Sequence, residues 1–323
     1  MRWVGLAIVL VGCGDDSSVV DAGASDAPVD VRTSDTAIDT AVDALADGSS
    51  DATDASADTA TDASVDAPPP EGFAVLTMNL WNAFINGDWD ERRAQVAAMI
   101  MRERPDAVCL QEVVESFSLD NGAEELATET GYQYEYLQTH EASLFQEGIA
   151  ILSRWPIASV ENVQLPITDF GFANRHVLKA VLRVDGNAVV VSCSHMSIST
   201  DADEKAEEAA RAFELIDRDR TDDHAYFAGD LNAEPDSRAM RLLRGEDTFD
   251  AITGDLIDAW TTAHPGDPGL THPTDGPDKR IDYVYLVPGT GALPTITCTH
   301  VLTEPVDGTY ASDHRGVLCR FAE

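Results

Sequence analysis

The chain has 323 residues, 44% of them apolar, and a formal net charge of −37 from 58 acids and 21 bases. Length and apolar content suffice for a large packed domain, which excludes a wholly disordered chain. The acidic balance argues against a protein that grips a polyanion through many phosphates, since no basic footprint of the needed size is visible.

Met1-Arg2-Trp3, an apolar run from Val4 to Val11 and then Gly12-Cys13 have the layout of a secretory signal, and the run is too short to span a bilayer as a mature helix. Leu10-Val11-Gly12-Cys13 resembles the lipobox of bacterial lipoproteins, which implies that Cys13 becomes a lipidated N-terminus; a signal cleaved without lipidation is the alternative. From Gly14 to Pro70 the chain is Asp, Ala, Ser, Thr and Val with little else: fourteen aspartates, one cation (Arg32) and no aromatic residue. Many of the acids recur every four residues, so a helix would align like charges. This stretch reads as a disordered, self-repelling tether that ends in Pro68-Pro69-Pro70. A calcium-binding repeat is the sharper alternative, but the glycine turns of such loops are missing. The expected organisation is therefore 1–13 signal, 14–70 tether and 71–323 folded domain, the last with a charge of about −25 by the same count.

Within the domain, Phe73 to Trp81 reads as a buried strand that delivers Asn79 where the apolar run ends. Asp90 to Glu103 has helical spacing, with Val96, Met99 and Ile100 inward and Glu91, Arg92 and Arg93 opposite. Asp106 to Val113 is a second buried strand with Gln111-Glu112 at its end. A carboxylate there is costly unless paired or metal-bound, so Glu112 is a ligand candidate. Asn121 to Thr130 is a helix, Tyr132 to Tyr136 a strand, and Glu147 to Ile157 a strand that breaks at Trp155-Pro156.

Strands at Arg175–Val184 and Ala188–Ser194, joined by a turn at Asp185-Gly186-Asn187, lead into His195. Asp203 to Asp217 is an amphipathic helix with Glu204, Glu207 and Glu208 on its outer face. The run from Ala225 to Ala228 enters Gly229-Asp230-Leu231-Asn232, where period-two alternation puts Asp230 and Asn232 on one side and Leu231 inward. After a short helix at Ser237–Leu243 and a helix or loop at Leu256–Thr262, Lys279 to Val287 is a strand with Asp282 near its start. Thr295–Leu302 and a final strand follow, the latter preceded by Asp313-His314. Cys109, Cys193, Cys298 and Cys319 sit in or beside apolar runs and read as core thiols, with a Cys298–Cys319 disulfide as the alternative if the chain is exported.

Strand ends thus supply Asn79, Glu112, His195, Asp230, Asn232, Asp282, Asp313 and His314. Separate carboxylates with amides form a hard, oxygen-lined set suited to Mg2+ or Mn2+ rather than zinc, and two histidines beside it suit proton transfer and anion contact. These are the parts that phosphoester hydrolysis needs.

Thr77-Met78-Asn79-Leu80-Trp81, Leu110-Gln111-Glu112, Glu147-Gly148-Ile149-Ala150-Ile151-Leu152-Ser153-Arg154, Ser194-His195-Met196, Gly229-Asp230-Leu231-Asn232, Arg280-Ile281-Asp282-Tyr283 and Ser312-Asp313-His314 resemble, in order, the motifs of the endonuclease/exonuclease/phosphatase superfamily. The resemblance runs from about Phe73 to Phe321. It implies a four-layer α/β sandwich, two packed mixed β-sheets flanked by helices, with a magnesium-dependent site at the strand ends. It also implies Glu112 as principal metal ligand with Asn79 and Asp313, Asp230 and Asn232 placing water and phosphate, His195 facing the scissile phosphate and Arg175 contacting it. The general base is His314, oriented by Asp282, or else Asp230.

His195 and the acidic domain look more like the secreted deoxyribonuclease, sphingomyelinase and small-phosphodiesterase branch than the DNA-repair nucleases. The expectation is a monomeric hydrolase of a small phosphodiester or phospholipid, anchored in the cell envelope through Cys13 and forming no stable nucleic-acid complex. An extracellular nuclease is the first alternative, and a non-catalytic surface binding domain the second.

Overall fold

The computed structural model describes residues 72–169, 173–218, 220 and 225–323; the signal, Cys13 and tether expectations lie outside them. In chain order the elements are β1 (Phe73–Asn79), α1 (Ala83–Asn86), α2 (Trp89–Glu103), β2 (Ala107–Ser116), α3 (Gly122–Thr130), β3 (Gln133–Glu141) and β4 (Phe145–Ser153). Then come β5 (Ile157–Asp169), β6 (Ala173–Val184), β7 (Asn187–His195), α4 (Ala202–Arg218), β8 (Ala225–Asp230) and α5 (Arg238–Leu243). The chain closes with β9 (Ile257–Asp258), α6 (Ala259–Ala263), β10 (Asp282–Val287), β11 (Thr295–Val301) and β12 (Gly316–Ala322).

Strand β1 shows why these elements stack in four layers. Its side chains are buried on both faces: Ala74, Leu76 and Met78 join the α2 and α3 residues Val96, Met99, Ile100 and Leu126, whereas Val75 joins Leu178, Val191, Ala228 and Val284 from the other sheet. A strand covered on both sides reads as an unbroken apolar run, as it does here. A third cluster, built on Phe227, Tyr283 and Tyr285, carries α4 and α5 on the outer face of the second sheet. Each such side chain, taken fully out of water, contributes roughly 2 kcal/mol.

The two six-stranded sheets run β11-β12-β1-β2-β4-β3 and β5-β6-β7-β8-β10-β9. The pairs β1–β2 and β7–β8 are parallel and the others antiparallel, so both sheets are mixed. The C-terminal ends of β1, β7 and β8 therefore lie with the N-terminal ends of β10 and β12 along one edge of the sandwich, the usual location for a ligand site in α/β sheets.

Several local readings change. Strand β2 does not end at Val113; it runs on to Ser116 past a register shift between Leu110 and Val113. Arg92 is not on the solvent face of α2 but 1% exposed. Its Nη1 donates to the carbonyls of Leu80 (2.6 Å) and Trp81 (3.0 Å), and its guanidinium lies over the Trp81 and Trp89 rings. Glu208 is likewise fully buried rather than outward. Strand β5 was not foreseen. It is an edge strand whose central residues Val160 to Gln164 are exposed, so no alternating pattern marks it.

The four domain cysteines are not free thiols: Cys109 bonds Cys193 and Cys298 bonds Cys319. The second bond joins directly opposed residues of neighbouring strands. The first joins β2 of one sheet to β7 of the other across the central core, at a sequence separation of 84. Loop-closure entropy makes that bond the larger contributor, about 4.5 kcal/mol against about 3.4 kcal/mol for the 21-residue separation. In chemical denaturation, Cys109→Ala/Cys193→Ala is expected to lose more stability than Cys298→Ala/Cys319→Ala; the reverse order would show that the sheets need no covalent clip.

Candidate functional site

Asn79 closes β1 with its side chain fully buried. Its Nδ2 donates to Glu112 Oε1 and to Asp230 Oδ2, both at 3.0 Å, and its Oδ1 accepts from the Trp81 amide at 2.8 Å. One amide thus ties a carboxylate of the first sheet to a carboxylate of the second. Glu112 reaches it because the bulge in β2 places this residue at φ 54°, in the left-handed region where a non-glycine residue is strained. Its Oε2 accepts from the amide of Asn82 at 2.7 Å. Asn82 in turn N-caps α1, its Oδ1 accepting from Phe84 and Ile85, while its Nδ2 donates to Glu147.

In the second sheet, Asp230 ends β8 directly opposite His195 of β7 and Asp282 of β10. Gly229 precedes it by necessity, since a Cβ at that position would meet the Ser194 carbonyl oxygen at 2.0 Å. Asp230 Oδ1 accepts from the Asn232 amide at 3.0 Å, and Oδ2 lies 3.6 Å from His195 Nε2 and 3.8 Å from His314 Nε2. The Nδ1–H of His314 donates to Asp282 Oδ2 at 2.9 Å, which turns Nε2 toward Asp230 and Asp313. Ser312 fixes this turn: its hydroxyl donates to the Asn79 carbonyl at 2.7 Å and accepts from the His314 amide at 3.0 Å.

Burial and crowded charge dominate the electrostatics. Burial, then the Asp282 charge, push the Asp230 carboxyl up to about 6 against the opposing effect of His314 and Asn79. Burial and then Glu112 push Glu147 up to about 8. For His314 burial disfavours the imidazolium, but Asp282, Asp230 and Asp313 together outweigh it and hold the ring well above its ordinary value. His195 goes the other way: burial first, then Arg175 and His314, keep it neutral. Asp230 and Asp282 are each 1% exposed, and Asp282 Oδ1 has no hydrogen-bond partner among the described residues. Buried acids that share one imidazolium and one amide carry uncompensated negative charge, so Glu112, Asn79 and the acids around them fit a divalent cation.

Seven expected residues, Asn79, Glu112, His195, Asp230, Asp282, Asp313 and His314, meet at this edge. Asn232 comes with them, but its Nδ2 donates to the Met196 carbonyl at 3.0 Å, so the side chain steadies the loop after β7. Arg175 is 7% exposed and held by Asp169, at 2.8 Å from Nε and 2.6 Å from Nη2. Its charge acts on His195, Glu147 and His140.

The sequence reading missed four residues that build the site. Asn82 and Glu147 support Glu112; the Glu-Gly pair at 147–148 was the available signal. Lys205 and Glu208 buttress the other side. Lys205 Nζ donates to the carbonyls of Ser197 (2.7 Å) and Leu231 (2.9 Å), and Glu208 accepts from the Ser197 amide (2.9 Å) and hydroxyl (2.7 Å). Their spacing with Ala209, Ala212 and Ile216 puts both on the buried stripe of α4, which a helical-wheel count would have caught.

YbhP of Escherichia coli (strain K12), an uncharacterized protein, is 28% identical to this chain over 236 residues, covering 69% of this chain and 88% of YbhP. Among solved structures, humanized D. rerio TDP2 superposes with a TM-score of 0.62 at 19% identity, covering 78% of this chain and 99% of that one. The human Nocturnin catalytic domain with bound sulfate gives 0.60 at 17% identity, with 78% and 94% covered. At these identities the structural likenesses speak for the fold. The sequence profile of the endonuclease/exonuclease/phosphatase family matches residues 76–314, and the chain belongs to that family.

Proposed function

We propose that this protein is a divalent-cation-dependent phosphoesterase that hydrolyses a small phosphodiester or a phospholipid outside the cytoplasm, held at a membrane through lipidated Cys13. The observation that carries the reading is the Asn79 amide bridging Glu112 and Asp230 directly beside the His314–Asp282 pair. Phosphoester hydrolases, nucleases among them, make up this family, and its enzymes typically use divalent metals. The two disulfides fit an oxidising compartment, as the lipobox-like start requires. The acidic surface favours a small or zwitterionic substrate over a long polyanion.

Bound by Glu112, Asn79 and Asp313, a Mg2+ or Mn2+ ion would supply charge neutralisation for the phosphoryl oxygens and the leaving group. The chain's own residues do the rest. Asp282 fixes the tautomer of His314, and once a bound cation offsets the acids that hold the ring protonated, Nε2 would be the basic nitrogen offered to a water beside Asp230. Asp230, held by the Asn79 side chain and the Asn232 amide, accepts the other hydrogen of that water and aims its lone pair. His195, neutral and next to Asp230, donates a hydrogen bond to a phosphoryl oxygen without adding charge to a buried site. Arg175 meets the phosphate with a guanidinium that Asp169 has already oriented.

Three outcomes are expected. With Mg2+, Glu112→Gln and His314→Gln should each lower the rate on bis(p-nitrophenyl) phosphate by roughly 10²–10⁴-fold, with near-UV circular dichroism unchanged; full activity in either would end the proposal. A choline phospholipid in vesicles should be cut faster than plasmid DNA at equal phosphate, and the opposite order would reassign the protein as an extracellular nuclease. Stability should also respond to pH. Glu147 titrates near 8 in the folded state, well above the usual carboxylate range. The stability tied to its proton is full at low pH and lost as pH rises through about 8. In EDTA the denaturation midpoint should therefore fall between pH 7 and pH 9, and Glu147→Gln should flatten that fall; an equal fall in the variant would assign it to other groups.

A further inference from the structure

The loop before β10 brings a third histidine to the site from an unexpected direction. His272 forms a small antiparallel bridge with Lys279, its amide donating to the Lys279 carbonyl at 3.1 Å and its carbonyl accepting from the Lys279 amide at 3.0 Å. The same segment is stitched to the turn that carries Asp313 and His314. The Thr274 amide donates to the Asp313 carbonyl (2.7 Å), the Thr274 hydroxyl to the Ser312 carbonyl (2.8 Å) and the Arg315 amide to the Thr271 carbonyl (2.8 Å). Backbone bonds on both sides thus fix the position of the His272 ring.

That ring is 5% exposed and stands 4.7 Å from the His314 ring. Nδ1 has no hydrogen-bond partner among the described residues, and Nε2 lies 3.6 Å from Asp313 Oδ2, outside hydrogen-bond range. Nδ1 is thus left unsatisfied in a ring that is nine-tenths buried. At the other oxygen of the same carboxylate, His314 Nε2 lies 3.9 Å from Asp313 Oδ1. Donor atoms of His272, Asp313 and His314 all fall within 4.8 Å of one another.

These separations, 3.6 and 3.9 Å to the two Asp313 oxygens, are within a few tenths of an ångström of those in a coordination shell. Ligands about 2.1 Å from a tetrahedral zinc ion stand about 3.4 Å apart. Hydrogen-bonded groups would sit closer, and side chains that merely pack have no reason to point three donors at one spot. Two imidazoles and a carboxylate select zinc or a similar nitrogen-seeking transition cation over magnesium, the reverse of the oxygen-lined set around Glu112.

We propose that His272, Asp313 and His314 form a second cation site, selective for Zn2+ and similar transition ions, that shares Asp313 with the oxygen-lined site. Occupancy withdraws His314 Nε2 from proton transfer, so zinc inhibits. That consequence rests on the function proposed above, whereas the binding does not. The test is calorimetric titration of the purified full chain with ZnCl2 in excess Mg2+. One Zn2+ per chain is expected, undisplaced by Mg2+, retained in Glu112→Gln and about 10–100-fold weaker in His272→Gln. Co2+ in place of zinc should give the intense visible absorption of a nitrogen-ligated tetrahedral ion in the unmodified protein and not in His272→Gln. No zinc binding in the unmodified chain, displacement by Mg2+, loss of binding in Glu112→Gln or equal affinity in His272→Gln would each overturn the site. If His272→Gln fails to fold, the titration of the unmodified chain still decides. A chain that binds zinc but hydrolyses no phosphoester would keep this site and lose the activity.

Discussion

Two hydrogens on one nitrogen, those of the Asn79 amide, are shared between carboxylates that belong to different sheets. The arrangement around them depends on this contact. It requires the two sheets to align at one edge, it fixes the orientation of the Glu112 and Asp230 carboxylates, and it offsets part of the repulsion between acids taken out of water. No neutral donor could satisfy so many acids alone. Negative charge is therefore concentrated at a place where the fold itself supplies few cations: His314 is charged, His195 is kept neutral, and Arg175 already has a carboxylate partner. The electrostatic demand for a cation and the geometric means to hold one come from the same few residues.

Much of this was legible in the chain. Buried strands announce themselves as apolar runs, and polar residues at their ends are costly unless they serve something, so Asn79, His195, Asp230, Asp282 and His314 could be named before any coordinates. What stayed hidden required knowing which elements face one another. The bulge that turns Glu112 inward depends on the pairing of β2 with β4. The Cys109–Cys193 bond depends on which strands of the two sheets are stacked, and no spacing rule predicts that. Arg92 and Glu208 were assigned to solvent because charge suggested it. Position on the helix decided otherwise, once backbone carbonyls were there to receive the guanidinium of Arg92 and Ser197 was there to donate to Glu208. Strand β5 escaped because its exposed middle, Val160 to Gln164, buries neither face.

The support of the site is divided between the two sheets. On the first, Asn82 links Glu112 to Glu147. On the second, Lys205 joins the loop after β7 to the loop after β8 through two carbonyls, so His195 and Asp230 keep their spacing although they sit on separate strands. Lysine placed in this way acts as a brace as much as a charge. Burial lowers its pKa even though Glu208 and Asp230 oppose the shift.

The backbone at Trp81, Glu112 and Asn232 carries a further meaning. All three have positive φ, at 53°, 54° and 47°, and none is glycine, so each is held where an isolated chain would rarely rest. Strain of about 1–3 kcal/mol per residue is sustained only because the surrounding sheets over-determine these positions. Natural selection for robustness alone would replace Trp81 and Glu112 with glycine or asparagine and the buried acids with amides. Their place beside the buried acids Asp230 and Asp282 means that the stability of this domain and its chemistry pull in opposite directions, and that the rigid two-sheet core and its covalent clip are what make such a site tolerable.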